Sequence, residues 1–287
     1  PCILILVLSH YIRAIRWKML IQPLGKSPAT SNVFLAVLTG FFFNLLFPRL
    51  GEVMKCTLLG KYEKIPVDKL IGTMVAERVL DLICLILVIF LAISTQVDLV
   101  GGYAKELWDQ IITRINASPS AILFFVLLLI SIAGIGYLIY LKARHSSLLL
   151  RIKDWIKGIV EGLISVRNVE NKLWFITCTL AIWFLYLSSI RVGFYAMQEL
   201  VQLGWVPSLT ILTFGSFAMI ATQGGIGAYQ FAVQKTLLLY GVKEVSGLAF
   251  GWLLWSVQTV MLFITGPVSL LLLFTLNKKS TKTILNN

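Results

Sequence analysis

The sequence predicts an all-α integral membrane protein: a multi-span helical bundle containing an inverted repeat and two re-entrant helical hairpins. Three observations carry that expectation. First, of 287 residues 58% are hydrophobic and only 13% charged, with a mean hydropathy of +0.87, whereas soluble domains sit near a quarter charged. Second, Lys and Arg are distributed unevenly between the apolar stretches. Third, two of those stretches are short and broken by Pro or Gly. A soluble enzyme, a secreted disulfide scaffold and a disordered chain are excluded.

Charge-free windows locate the candidate spans. Ser27–Pro48, Ser118–Leu141, Leu173–Ile190, Leu200–Gln234 and Val245–Asn277 contain no Asp, Glu, Lys, Arg or His. A crossing of the hydrocarbon core, about 30 Å thick, needs about 20 apolar residues. The chain opens at Pro1 inside an apolar stretch, without the basic start of a signal peptide, which reads as a fragment lacking an N-terminal helix. Cys2, Cys56, Cys84 and Cys178 are scattered without a C-x-x-C pattern and read as small buried hydrophobes.

Orientation follows from the basic residues. Of the 25 Lys and Arg, which exceed the 13 Asp and Glu by 12, seven fall within residues 142–172. Arg13, Arg16, Lys18 and Lys26 precede the second apolar segment, and Arg49, Lys55, Lys61, Lys64 and Lys69 follow it. Residues 94–117 hold only Lys105 and Arg114. The positive-inside rule makes the basic regions, including the tail after Leu276, cytoplasmic. The net charge of +12 therefore points to anionic lipid rather than to nucleic acid.

That assignment puts cytoplasmic flanks on both sides of Ser31–Phe47. A hairpin resolves the conflict: one half-helix enters, the chain breaks at Phe47–Gly51, and a second half-helix returns. Pro207–Ala221, the interruption Thr222-Gln223-Gly224-Gly225-Ile226-Gly227 and Ala228–Tyr240 have the same shape with charge-poor flanks, so this hairpin enters from the opposite side. Leu8-Ser9-His10-Tyr11-Ile12-Arg13 resembles Leu187-Ser188-Ser189-Ile190-Arg191, Gly40–Gly51 parallels Gly215–Gly227, and Gly60 parallels Gly241. The single membrane domain, residues 1–287, then consists of opposed units at about 1–95 and 173–276, an arrangement transporters use to build a midplane site. The linker, 118–172, contains a span at Ser118–Leu141 and an amphipathic helix in Ser146–Lys172, either at headgroup level or packed on the bundle.

Chemistry concentrates in Glu77, Arg78 and Asp81. Their spacings of three and four place them on one sector of a helix, at a depth where a lone charge costs about 2.5–3.5 kcal/mol or more. Arg78 can neutralise Asp81, leaving Glu77 to a cation from Arg13, Arg16, Arg49 or Lys55. A structural ion-pair cluster and a substrate or proton site both fit. At the first break Arg49, Glu52 and Lys55 surround a helix N-terminus that favours an anion. At the second, Gly224, Gly225 and Gly227 offer backbone that could approach a ligand or simply break the helix. Asn44 and Gln223 are expected within the membrane, in reach of water. His10 reads as an interhelical hydrogen-bond donor. Asn116-Ala117-Ser118 matches a glycosylation sequon, and no catalytic, metal-ligand or cofactor motif is present.

Together Arg13-Ala14-Ile15-Arg16-Trp17, Asn44, Pro48-Arg49-Leu50-Gly51-Glu52, Gly72-Thr73, Ala76-Glu77-Arg78-Val79-Leu80-Asp81 and Gly224-Gly225-Ile226-Gly227-Ala228 resemble the lysylphosphatidylglycerol synthase transmembrane region family, also described as flippase-like and UPF0104-type. The match covers nearly the whole chain. It departs at Thr222-Gln223, where a Pro is common before the glycines, and at Gln230, where an acidic residue is frequent. The resemblance implies a membrane domain that moves aminoacylated phospholipid between leaflets in the multiple peptide resistance factors, whose soluble aminoacyl-transfer domain has no counterpart before Asn287.

The expected function is a flippase-like transporter, not an enzyme, in the cell (inner) membrane with a cytoplasmic C-terminus. Its partners would be membrane lipids, an anionic phospholipid or a lipid-linked intermediate, and an oligomer is compatible with the sequence. A membrane partner that anchors a lipid-modifying enzyme or glycosyltransferase, and an ion-coupled carrier of a small polar solute, are the alternatives. The substrate residues would be Arg13, Arg16, Asn44, Arg49, Glu52, Lys55, Glu77, Arg78, Asp81, Gln223, Gly224, Gly225 and Gly227.

Overall fold

The computed structural model describes residues 1–47, 49–96 and 164–285, with residues 109 and 160 standing alone. The chain forms two compact units, one from Pro1–Ala92 and Gly158–Asn287 and the other from Ile93–Lys157. The expected span Ser118–Leu141, the sequon at Asn116 and most of the amphipathic segment Ser146–Lys172 lie outside the described residues. Every described element is helical.

Helix α1 (Cys2–Ile21) buries Arg13, Ala14, Arg16, Trp17, Leu20 and Ile21 along one side. It runs into a 3-10 turn at Gln22–Leu24, closed by Gly25 at φ 76°. Helices α2 (Thr30–Leu46) and α3 (Leu50–Glu63) follow, separated by the sequence's first break. Phe47 is extended and Arg49 takes left-handed geometry at φ 58°, which carries a steric cost of about 1–2 kcal/mol in a residue with a Cβ. Glycine sets the α2–α3 approach: a Cβ on Gly51 would collide with the carbonyl of Gly40, so the two backbones touch, as small residues allow inside membranes. Lys64, also left-handed, ends α3 before Pro66.

Helix α4 (Val67–Thr95) is long and apolar. After a 3-10 turn at Ser165–Asn168 comes α5 (Lys172–Gly193), whose first turn is capped by Asn171 accepting from the Trp174 N–H at 2.9 Å. Helices α6 (Trp205–Ala221) and α7 (Ala228–Leu238) flank the second break, where Gly224, Gly225 and Gly227 all have positive φ. Helix α8 (Glu244–Leu285) completes the chain and contains Pro267. On α8, Gly247 and Gly251 lie against the backbone of Gln234 and Gln230 on α7, a small-xxx-small contact.

Two apolar clusters are the largest among the described residues. One gathers Trp17, Leu20, Val33, Leu59, Leu70 and Met74 from α1 to α4; the other gathers Phe194, Leu200, Ile211, Val233, Leu237 and Phe250 from the later helices and turns. Leu6, Met261 and Leu262 pack with Phe41 and Tyr186 to join them. Among the described residues three stretches, Val67–Thr95, Lys172–Ala196 and Glu244–Lys278, are long and apolar enough to cross a membrane. Large side chains such as Leu4, Phe90, Leu173 and Leu271 face outward, as expected where the solvent is lipid.

A polar clasp ties several helix ends. The Glu63 carboxylate accepts from the Ala29 N–H at 3.0 Å and the Asn32 amide at 2.7 Å, and Asn32 exchanges hydrogen bonds with Asn277 on α8.

Candidate functional site

Three helices bring the intramembrane charges together. On α1, Arg13 and Arg16 are three residues apart and share a face; on α4, Glu77 and Asp81 are four apart and share another. One Arg13 nitrogen, Nη1, donates to Glu77 and to Asp81, both at 2.7 Å. Arg16 donates to the other Asp81 oxygen at 2.7 Å and lies 3.5 Å from Glu77. From α3, Lys55 reaches Glu77 Oε2 at 2.8 Å, its Nζ 4.4 Å from the centre of the Trp17 ring. Trp17 is itself held by donating to Thr73 at 3.0 Å.

Glu77 and Arg16 are wholly buried, and Arg13 and Lys55 nearly so. Placing such charges out of water is costly, and removing one partner from a buried pair typically costs about 3–5 kcal/mol. The cluster therefore fixes α1, α3 and α4 against each other.

The pairing differs from the one expected from spacing. Arg78 does not neutralise Asp81; it lies 2.8 Å from Glu52 at a partly exposed position, while Asp81 belongs to Arg13 and Arg16. Residues 78 and 81 share a helix sector, but Arg13 and Arg16 reach Asp81 from a neighbouring helix, one to each carboxylate oxygen. Arg49 is exposed at the break and takes no part in the cluster. Asn44 accepts from the Gly51 N–H at 2.8 Å, so its side chain closes the first break. His10 does not donate across helices: both its nitrogens lack a hydrogen-bond partner, and its ring rests on Phe41 with 4.5 Å between centres.

Beside the cluster is a cavity of about 460 Å³ whose walls come from both halves of the chain. Arg13, Arg78 and Asp81 supply its charges, and His10, Trp183, Tyr186, Ser216, Tyr229 and Gln258 much of its remaining polar and aromatic lining. Arg16, Asn44, Arg49, Glu52, Lys55 and Glu77, like Gly224, Gly225 and Gly227 of the second break, are outside its lining. Gly224 instead accepts from Trp255 at 2.7 Å and lies near Leu45 of α2. Tyr186, which accepts from Arg13 at 3.1 Å, is nearly silent in the sequence; its signal there is a phenol within an uncharged span.

Comparison with known proteins points to membrane proteins. A UPF0104 membrane protein of Methanocaldococcus jannaschii is 41% identical over 78 residues, covering 26% of this chain and 23% of the relative. A UPF0104 membrane protein of Methanothermobacter thermautotrophicus is 24% identical over 231 residues, 75% of this chain and 67% of that protein. No solved structure matches. The family model described as the lysylphosphatidylglycerol synthase TM region matches residues 1–266; the chain, with its paired carboxylates on α4 facing the arginines of α1, belongs to that family.

Proposed function

We propose that the protein is a flippase-like transporter that moves a phospholipid or lipid-linked intermediate between leaflets, with no catalytic step of its own. The observation that carries this reading is the cavity, whose wall combines charges of both signs with a largely apolar lining. A headgroup crossing hydrocarbon must exchange water for fixed polar groups, while its acyl chains remain in lipid. Two lining residues, Leu82 on α4 and Ile220 on α6, are 54% and 65% exposed, so the cavity reaches the outer apolar surface, where a lipid could enter sideways.

In this reading α2–α3 and α6–α7 are re-entrant hairpins within one membrane domain, residues 1–287, entering from opposite sides. Their support is the packing of α2 on the turn Gln223–Gly225, which sets the two breaks side by side. The repeat units of about 1–95 and 173–276 are supported by matching contacts: α1–α2 and α2–α3 in the first, α5–α6 and α6–α7 in the second, with α1 packed on α5. Irregular backbone at membrane depth is tolerable where protein buries it or a wet cavity adjoins it. In the same reading the membrane is the cell (inner) membrane and the C-terminus is cytoplasmic, which the distribution of basic residues supports.

Leaflet exchange of a fluorescent phospholipid in reconstituted vesicles tests the reading. The wild-type protein should accelerate exchange over protein-free vesicles, and Ser216→Trp, which fills part of the cavity, should abolish the acceleration while the protein remains folded. Exchange no faster than in empty vesicles, or undiminished by Ser216→Trp, removes transport through this cavity.

A further inference from the structure

The buried charges beside the cavity do not cancel. Arg13, Arg16 and Lys55 contribute three positive charges, and Glu77 and Asp81 two negative ones. The adjacent Arg78–Glu52 pair is neutral as a unit. One positive charge therefore has no counter-charge among the described residues, in surroundings where unbalanced charge is expensive.

Arg13 carries that excess to the cavity. Among the three clustered cations it alone lines the wall, and its second terminal nitrogen, Nη2, is directed at the Tyr186 hydroxyl rather than at a carboxylate. His10 lies one turn back on the same face of α1, lines the same cavity, and is only 3% exposed, with both ring nitrogens unpartnered. Phe41 packs against both, its ring centre 4.5 Å from that of His10 and 5.8 Å from the Arg13 guanidinium carbon. A buried polar group without a partner is destabilising unless something supplies one.

We propose that His10, Arg13 and Tyr186 form an anion subsite in the cavity for one singly charged oxyanion, either the phosphodiester of a lipid headgroup or free phosphate in its monovalent form. Arg13 provides charge; a ring N–H of His10 and the hydroxyl proton of Tyr186 provide hydrogen bonds. A single negative charge balances the cluster, whereas a second would face Asp81 without compensation. A zwitterionic headgroup brings its own cation and leaves the imbalance in place. The inference deepens the reading of this cavity as the substrate site and rests on it.

The test measures binding, separately from transport. The full chain in detergent is titrated with dihexanoylphosphatidylglycerol, dihexanoylphosphatidylcholine and inorganic phosphate while its thermal midpoint is followed. Phosphatidylglycerol should raise the midpoint saturably at concentrations at least tenfold lower than phosphatidylcholine. His10→Phe should weaken that binding at least tenfold, yet leave the ligand-free midpoint equal or higher, because an apolar ring replaces an unpartnered imidazole. Tyr186→Phe supplies the same test should His10→Phe fail to fold. Tighter binding of phosphatidylglycerol than of phosphate identifies the lipid headgroup as the source of the anion, and equal binding identifies the free ion. Equal binding of the two lipids, or unchanged phosphatidylglycerol binding in a folded His10→Phe protein, overturns the subsite. Absent leaflet exchange with binding intact would remove the transport reading alone.

Discussion

The hairpins α2–α3 and α6–α7 share a shape but reach it through different chemistry. Each depends on a glycine of its first helix where the second returns: Gly40 lies against Lys55, and Gly215 against the ring of Tyr229. At the first break the left-handed residue is Arg49, and Asn44 closes the turn with its side chain. At the second, three glycines take all the positive φ angles. The contrast continues one helical turn onward. Lys55 is buried and paired with Glu77, whereas Gln230, 175 residues later in sequence, is equally buried with neither amide atom hydrogen-bonded. One half holds its hairpin with ion pairs to neighbouring helices; the other relies on glycine contacts and apolar packing.

The contrast is broken most forcefully at Glu77. Glu77→Gln leaves three clustered cations facing Asp81 alone and should destabilise the protein by about 3–5 kcal/mol, read by denaturant titration in micelles. Adding Lys55→Met should recover part of the loss, since the two residues share one interaction. A loss below about 1 kcal/mol would mean that the cluster does not hold the first half together.

A smaller effect of opposite sign is expected in the second half. Gln230→Met replaces an unpartnered amide by an apolar chain of similar volume and should stabilise by about 1–2 kcal/mol, whereas Lys55→Met alone should destabilise because it strips the buried Glu77 Oε2 of the hydrogen bond it accepts from Lys55. Stabilisation by both substitutions would show that burial, rather than pairing, dominates at the two positions.

The smallest differences lie at the breaks themselves. Arg49→Gly relieves a left-handed backbone and should stabilise by about 1 kcal/mol, while Gly225→Ala, at φ 72°, should cost about the same. It should cost more if Met219, which a Cβ there would strike, cannot move. Equal signs at the two positions would indicate that the first break is set by something other than backbone strain.

Local features were legible because they are written in consecutive residues. The expected segment Ser31–Phe47 and the observed Thr30–Leu46 differ by one residue at each end, and Pro207–Ala221 begins two residues later than the helix it marks. Charge depletion, glycine and proline suffice for such boundaries. Partnership was less legible, since it depends on how helices distant in sequence rotate against each other. Spacing favoured Arg78 with Asp81, but α1 presents two arginines to that carboxylate and α3 presents Glu52 to Arg78. The wall formed by His10, Tyr186, Ser216 and Gln258 was hidden for the same reason. His10 stands out only as a polar residue on an apolar helix, the other three are unremarkable within theirs, and only the meeting of four helices makes them neighbours.

The length of α8 makes bilayer thickness a variable of this fold. The chain is uncharged from Val245 to Asn277, which at roughly 1.5 Å per residue is about 50 Å of apolar helix, against a hydrocarbon layer of about 30 Å. The excess is absorbed by inclination, by bending, or by contact with other helices such as that of Gly247 and Gly251 with α7. Each ångström left unmatched costs a fraction of a kcal/mol. The same chain therefore meets a different mechanical load in thin and thick membranes, and the acyl-chain length of its lipids bears on its stability as directly as a point substitution does.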